Sequence, residues 1–214
     1  MVGKTGSIVG FELSLNAIAP AGALLESVRN NEFDVQLLCF LDRYYQRRSE
    51  AGCRWDAFAI GDDGRRRFVD VVEQMLIDCP GLENRRCDLD RRFGWLEWTL
   101  AQACRVDADR ELSTWAIYGQ DLVTPNARST QGYPIRLLLP ETCGVISIWL
   151  DDLDTNDVER VCDVSRMRDD GPYKLSQQTD DAYVREMVVK DFHRVQSFYR
   201  QVAETLEAVL VIQD

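Results

Sequence analysis

The chain has few of the residues that build metal and redox sites. His193 is its only histidine, and its seven cysteines (39, 53, 79, 87, 104, 143 and 162) include no Cys-x-x-Cys pair. A zinc site needs clustered thiolates and imidazoles, so no metal and no cofactor is expected. An odd cysteine count at wide spacings argues against a disulfide framework, and most of these thiols read as small buried apolar groups. Lysine is scarce as well: only Lys4, Lys174 and Lys190 occur. No apolar run approaches the roughly 20 residues that cross a bilayer. Lys4 and the interruption of Ile8–Leu15 by Glu12 make a poor secretory signal. A cytoplasmic protein without a membrane partner is expected.

What the chain has in excess is acid. Its formal net charge is -11, from 25 basic and 36 acidic side chains. Residues 1–107 hold 14 basic and 17 acidic groups, residues 108–214 hold 11 and 19, so the acidity lies mainly in the second half. Nucleic-acid binding needs basic charge to displace counterions, and this composition argues against it. A basic protein partner is the complementary expectation.

Apolar residues at 45% and charged residues at 29% fit a globular chain, and one domain over 1–214 is the natural count for this length. Ser7–Leu15 reads as a strand, and Pro20 opens a helix to about Arg29. Phe33, Leu37, Phe40, Leu41 and Tyr44 keep helical spacing within Glu32–Ser49, as do Phe68, Val71, Val72, Met75 and Leu76 within Arg66–Asp78. Glu50–Gly64 is glycine-rich and reads as a loop with a short extended piece at Trp55–Ile60. Asp88 or Asp90 is expected to cap a helix carrying Phe93, Leu96, Trp98 and Leu100. Leu112–Tyr118 reads as a short helical or turn segment ending at Gly119, Asp121–Gln131 as a mobile loop, and Tyr133–Leu139 as a strand. Helices follow from Pro140 and from Asp154. Thr179-Asp180-Asp181 starts a long helix, and Ala208–Ile212 is a closing strand that pairs with the first. The sum is an α+β fold: a small mixed sheet of about three strands (N-terminal, central and C-terminal) surrounded by about seven helices.

The order of these pieces resembles the YfbM-like family of domain-of-unknown-function proteins. Four places carry the resemblance: the strand and helix of Ser7–Arg29; Asp88-Leu89-Asp90-Arg91-Arg92-Phe93 with Trp95-Leu96; the turn from Leu112-Ser113 to Gly119 with the step from Gly132-Tyr133 to Pro140-Glu141; and Phe192–Tyr199 with Val209–Ile212. The resemblance implies a single such domain over 1–214, and residues 30–86, longer than the family's usual connection, depart from it and suggest a helical insertion. It implies no established activity. A histidine usual in the family's aromatic helix is replaced by Glu97, which removes histidine chemistry there.

Asp88, Asp90 and Glu97 form the best carboxylate group, with Asp90 and Glu97 expected two helical turns, about 10 Å, apart on one face. Trp95 and Trp98 add stacking surface, and Tyr133 completes the candidate binding set. No residue set for nucleophilic catalysis emerges, because His193 is the only imidazole and reads as the rim of its helix. Asp152, Asp154 and Asn156 imitate a calcium loop, but Asp157 stands where glycine is needed. Gly3-Lys4-Thr5 echoes a phosphate loop without its leading glycine. Arg65-Arg66-Arg67 begins a helix in an acidic protein and reads as a solvated face. Two readings follow. One is a non-catalytic protein-binding module, in the manner of an immunity protein that neutralises a basic toxin. The other is an enzyme or small-molecule binder with a cleft around Asp90, Glu97, Trp98 and Tyr133.

Overall fold

A computed structural model describes residues 12–20, 22–48, 61–172 and 175–214. At its centre lie the first and last described strands. Strand β1 (Leu13–Ile18) pairs antiparallel with β5 (Ala208–Gln213), Leu15 opposite Val211 and Ala17 opposite Val209. Both strands are buried nearly throughout, which is why β5 reads as an unbroken apolar run, Ala-Val-Leu-Val-Ile, and not as an alternating one. The expected pairing of the terminal strands is therefore present.

The sheet has five strands in the order β2-β1-β5-β4-β3, and every pair is antiparallel. This corrects the expected mixed sheet of about three. Strand β2 (Arg86–Asp90) buries only Cys87 and Leu89, because it is an edge and its remaining side chains reach solvent. Strand β3 (Asp121–Leu122) is two exposed residues against β4 (Arg136–Leu138). It falls in the segment expected to be a loop.

Nine α-helices occur among the described residues, against about seven expected. They are α1 (Ala23–Arg29), α2 (Leu41–Arg48), α3 (Asp63–Asp78), α4 (Phe93–Ala103), α5 (Asp107–Tyr118), α6 (Pro140–Asp151), α7 (Thr155–Val161), α8 (Val164–Asp170) and α9 (Asp181–Glu204). A 3₁₀ segment, Val35–Phe40, leads into α2. The short α8 escapes sequence reading although Asp163 caps it through the Arg166 N–H. The extended piece expected at Trp55–Ile60 and the first residues of the expected strand Ser7–Leu15 lie outside the described residues.

Successive residues of β2 show the layering, since side chains alternate across a strand. Cys87 faces a groove formed with α9, whereas Asp88 faces a cavity with Cys39, Asp42 and Arg43. Helix α2 closes that second face, its Tyr45 hydroxyl donating to the Ala17 carbonyl at 3.0 Å. Helices α6 and α9 pack together on the first face, against β5 and β2 respectively. Asp180 caps α9 through the Tyr183 N–H at 3.0 Å. The helix then buries Met187, Val188, Asp191, Phe192, Val195, Phe198, Tyr199 and Val202. The carboxylate in that stripe is unusual. Near β5, Arg85 donates to both oxygens of buried Glu207, at 2.8 and 2.5 Å.

Candidate functional site

The acidic stretch before α4 is a strand end and not a helix cap. The Asp88 carboxylate accepts from the Asp90 N–H at 2.9 Å, and Asp90 takes a left-handed conformation, φ 53°. This tight turn ends β2. The N-cap of α4 is Arg92, with no side-chain cap. Asp90 therefore does not share a helical face with Glu97, and the expected 10 Å carboxylate pair does not form. The local acid-then-aromatic pattern fits either a capped helix or a closed strand end, and the pairing of Leu13 with Asp90 selects the second.

The other expected site residues disperse in the same way. Trp95 and Trp98 are buried in the core. Trp95 meets Tyr183 edge-on at 6.5 Å, and the Trp98 indole donates to the Asp170 carboxylate of α8 at 2.8 Å. Tyr133 lies in the β3–β4 connection, where its carbonyl accepts from the Ser129 N–H at 2.7 Å. Strands β1 and β5 stand between the β2 edge bearing Asp90 and the β4 end near Tyr133. Three strand spacings of about 4.8 Å separate them. Asp90, Glu97, Trp98 and Tyr133 thus do not line one cleft. Glu97 is half-buried, and desolvation pushes its carboxyl up. Burial, then the Glu97 charge, pushes the Tyr118 hydroxyl up to about 12.

Asp88 lines a cavity of about 310 Å³ with Glu12, Asp42, Asp214, Arg43 and Arg91. A second cavity, of about 360 Å³, is walled by Trp115, Tyr118, Gln120, Arg136 and Gln213 over Gly119. Gly119 has φ 75°, and a Cβ there would stand 2.8 Å from that of Arg136. Only glycine lets the end of α5 meet the sheet so closely.

Sequence reasoning missed the most elaborate charged constellation. Asp191 is 1% exposed, inside the apolar stripe of α9. Arg92 approaches it from α4's start at 3.5 Å, and Arg194 from one turn along at 3.3 Å. Burial pushes the Asp191 carboxyl up while both guanidinium groups oppose the shift. The Arg92 Nη1 lies 2.9 Å from the Met187 sulfur, but its buried Nε has no hydrogen-bond partner. Beside this cluster runs an open groove of about 490 Å³, lined by Arg86, Cys87, Lys190, His193, Arg194 and Phe198 among others. Burial raises the Cys87 thiol to about 12, so it is not a ready nucleophile. His193 sits exposed on the helix rim, its Nε2 3.1 Å from the Thr155 hydroxyl.

Among the described residues, no group of three His, Cys, Asp or Glu side chains is placed to hold a metal ion. Asp154, the middle of the calcium-like run, instead caps α7 through the Asp157 N–H. Asp62 caps α3, and Arg65, Arg66 and Arg67 pair with Asp62, Asp63 and Glu32. Gly3-Lys4-Thr5 lies outside the described residues. No described helix is long and apolar enough to cross a membrane.

An α+β domain in which helices cover both faces of an antiparallel sheet, with its first and last described strands paired at the centre, is the class that this architecture defines. The family described as Domain of unknown function (DUF1877) matches residues 61–212, and the chain belongs to that family. The solved structure of YfbM from Escherichia coli, a protein of unknown function, is similar over 70% of this chain and 92% of that one, at 16% identity and a TM-score of 0.48. A comparison with curated proteins finds no match. The YfbM-like resemblance holds, and the family supplies no activity.

Proposed function

We propose that the domain is a non-catalytic binding module that takes a basic, amphipathic segment of another protein on the outer face of α6. One observation carries the reading. Val145 and Ile148 are 52% and 67% exposed, one turn apart, with Glu141 and Asp152 continuing the same exposed stripe at helical spacing. Exposed apolar side chains framed by acid suit an apolar contact with a cationic rim. Nothing lies within 4 Å of the Cβ position of Gly144 beside them, so another chain can approach the helix closely. Arg105, 3.4 Å from the Asp152 carbonyl, sets the turn bearing Val106 (60% exposed) near the C-terminal end of α6. Capture of a basic toxin by an immunity-type protein is one form this activity takes.

The thiols and the imidazole support the non-catalytic part. Burial raises the thiols of Cys39, Cys87, Cys104, Cys143 and Cys162, and a hydroxyl holds the His193 ring. The test is recovery of a stoichiometric basic partner by wild type, by Ile148→Asp and by Ile77→Asp. Ile77 is equally exposed but lies on α3. The reading expects loss only with Ile148→Asp. Equal recovery by all three would remove α6 as the docking face.

A second reading keeps one specific support. Glu97 is half-buried with a raised carboxyl, beside Tyr118 at the wall of the 360 Å³ cavity. A small-molecule binder would use this region, and Glu97→Gln would then weaken the bound molecule. If Glu97→Gln left every ligand effect intact, that reading would fail.

A further inference from the structure

The α9–β2 groove has a sign opposite to that of the whole chain. It gathers Lys190, one of three lysines, with the only histidine and with Arg86 and Arg194, in a protein of net charge -11. The local ion pairs do not cancel this charge. Arg86 is matched, because Asp42 holds it at 2.8 Å. Around Asp191, however, one buried carboxylate serves Arg92, Arg194 and Lys190 together. Asp90 also bears on Arg92, so one positive charge is left over.

The groups are arranged along a line. Lys190, His193, Arg194, Ser197 and Gln201 follow one face of α9 at spacings of three, four and seven residues, over about 16 Å. Phe198 and Cys87, both buried, give the groove an apolar floor. One polar wall is held in place before any ligand arrives, His193 by Thr155, while Asp42 draws the Arg86 guanidinium toward α2. A volume of about 490 Å³ lies within the range of small-molecule sites, roughly 300–1,000 Å³. A row of cationic and hydroxyl donors over an aromatic floor recognises an anionic head on an apolar body. A metal ion would be repelled here. A long polyanion would meet the acid of the surrounding surface.

We infer that this groove binds a small organic anion, its phosphate or carboxylate held by Lys190 and Arg194 and its apolar part laid on Phe198. The site lies apart from the α6 face and does not depend on that reading. The test is calorimetric titration of the full chain with phenyl phosphate, benzoate and inorganic phosphate. The variants are Lys190→Gln, the double variant Lys190→Gln/His193→Gln, and Arg166→Gln on exposed α8 as control. Melting curves confirm that each variant folds. The expected result is saturable binding of phenyl phosphate or benzoate, weakened about tenfold or more by Lys190→Gln and unchanged by Arg166→Gln. Inorganic phosphate should bind more weakly, since it cannot use the floor. The tighter of the two organic probes sets the head group as phosphate or carboxylate. No binding at millimolar concentration, or equal binding by wild type and the double variant, would overturn the proposal.

Discussion

The α9–β2 groove and the outer face of α6 lie on one acidic molecule, yet they carry opposite charge for a reason visible residue by residue. Beside the groove, Arg92, Arg194 and Lys190 surround buried Asp191 with only Asp90 added, so positive charge remains at the surface. On α6, Glu141 and Asp152 are exposed beside Val145 and Ile148, so acid and apolar surface remain together. Net charge therefore predicts neither surface. How each carboxylate is matched decides which ligand a surface suits, and a chain of net -11 can still present an anion site.

The comparison breaks most sharply at Asp191. Asp191→Ala leaves Arg194 without its carboxylate and Arg92 with Asp90 alone, and removing one partner of a buried pair costs about 3–5 kcal/mol. Urea denaturation should show that loss, with any anion that binds the groove restoring part of it. A smaller break lies at Gly119, where a methyl group must enter a left-handed backbone 2.8 Å from the Arg136 Cβ. Gly119→Ala should cost about 1–3 kcal/mol by the same measurement, with both charged surfaces left as they are.

Glu97 sharpens the contrast, because burial raises its carboxyl and no cation opposes the shift. A carboxyl raised on folding favours the native state while protonated. Its contribution is complete below the unfolded value of 4.5 and is lost as pH rises through the folded value. Glu97→Gln stays neutral throughout. Its stability should match wild type at the acid end and exceed it at neutral pH, a crossover that denaturation at several pH values reads directly. Smallest of all is Ile148→Asp, at 67% exposure. Its stability should stay within about 0.5 kcal/mol of wild type, so any loss of partner reports the surface and not the fold.

Much of the scaffold was legible from residues 179–213. The Asp180 cap, the apolar stripe of α9 and the unbroken apolar run of β5 each carry a strong local signal. Pairing of the chain ends followed from the apolar character of both terminal segments. Strand β2 was not legible, since Arg86-Cys87-Asp88-Leu89-Asp90 offers two buried positions and an acid pair that imitates a cap. Strand β3 is too short to show a period. The candidate site was read from neighbours in sequence, and the structure disperses them because Asp90 ends a strand while Glu97 sits within a helix. A carboxylate at position 191, on the same stripe as Val188 and Val195, was a readable sign that a cation must meet it. Nothing local names Arg92 as that cation, for the two meet only when α4 and α9 pack.

The most direct test of the two-surface account is a nitrogen-15 NMR titration of the full chain with phenyl phosphate. The expected shifts are confined to amides near Arg86, Cys87 and residues 190–201, with those of residues 141–152 unmoved. Shifts centred on α6, or scattered evenly over the basic residues of the molecule, would contradict it.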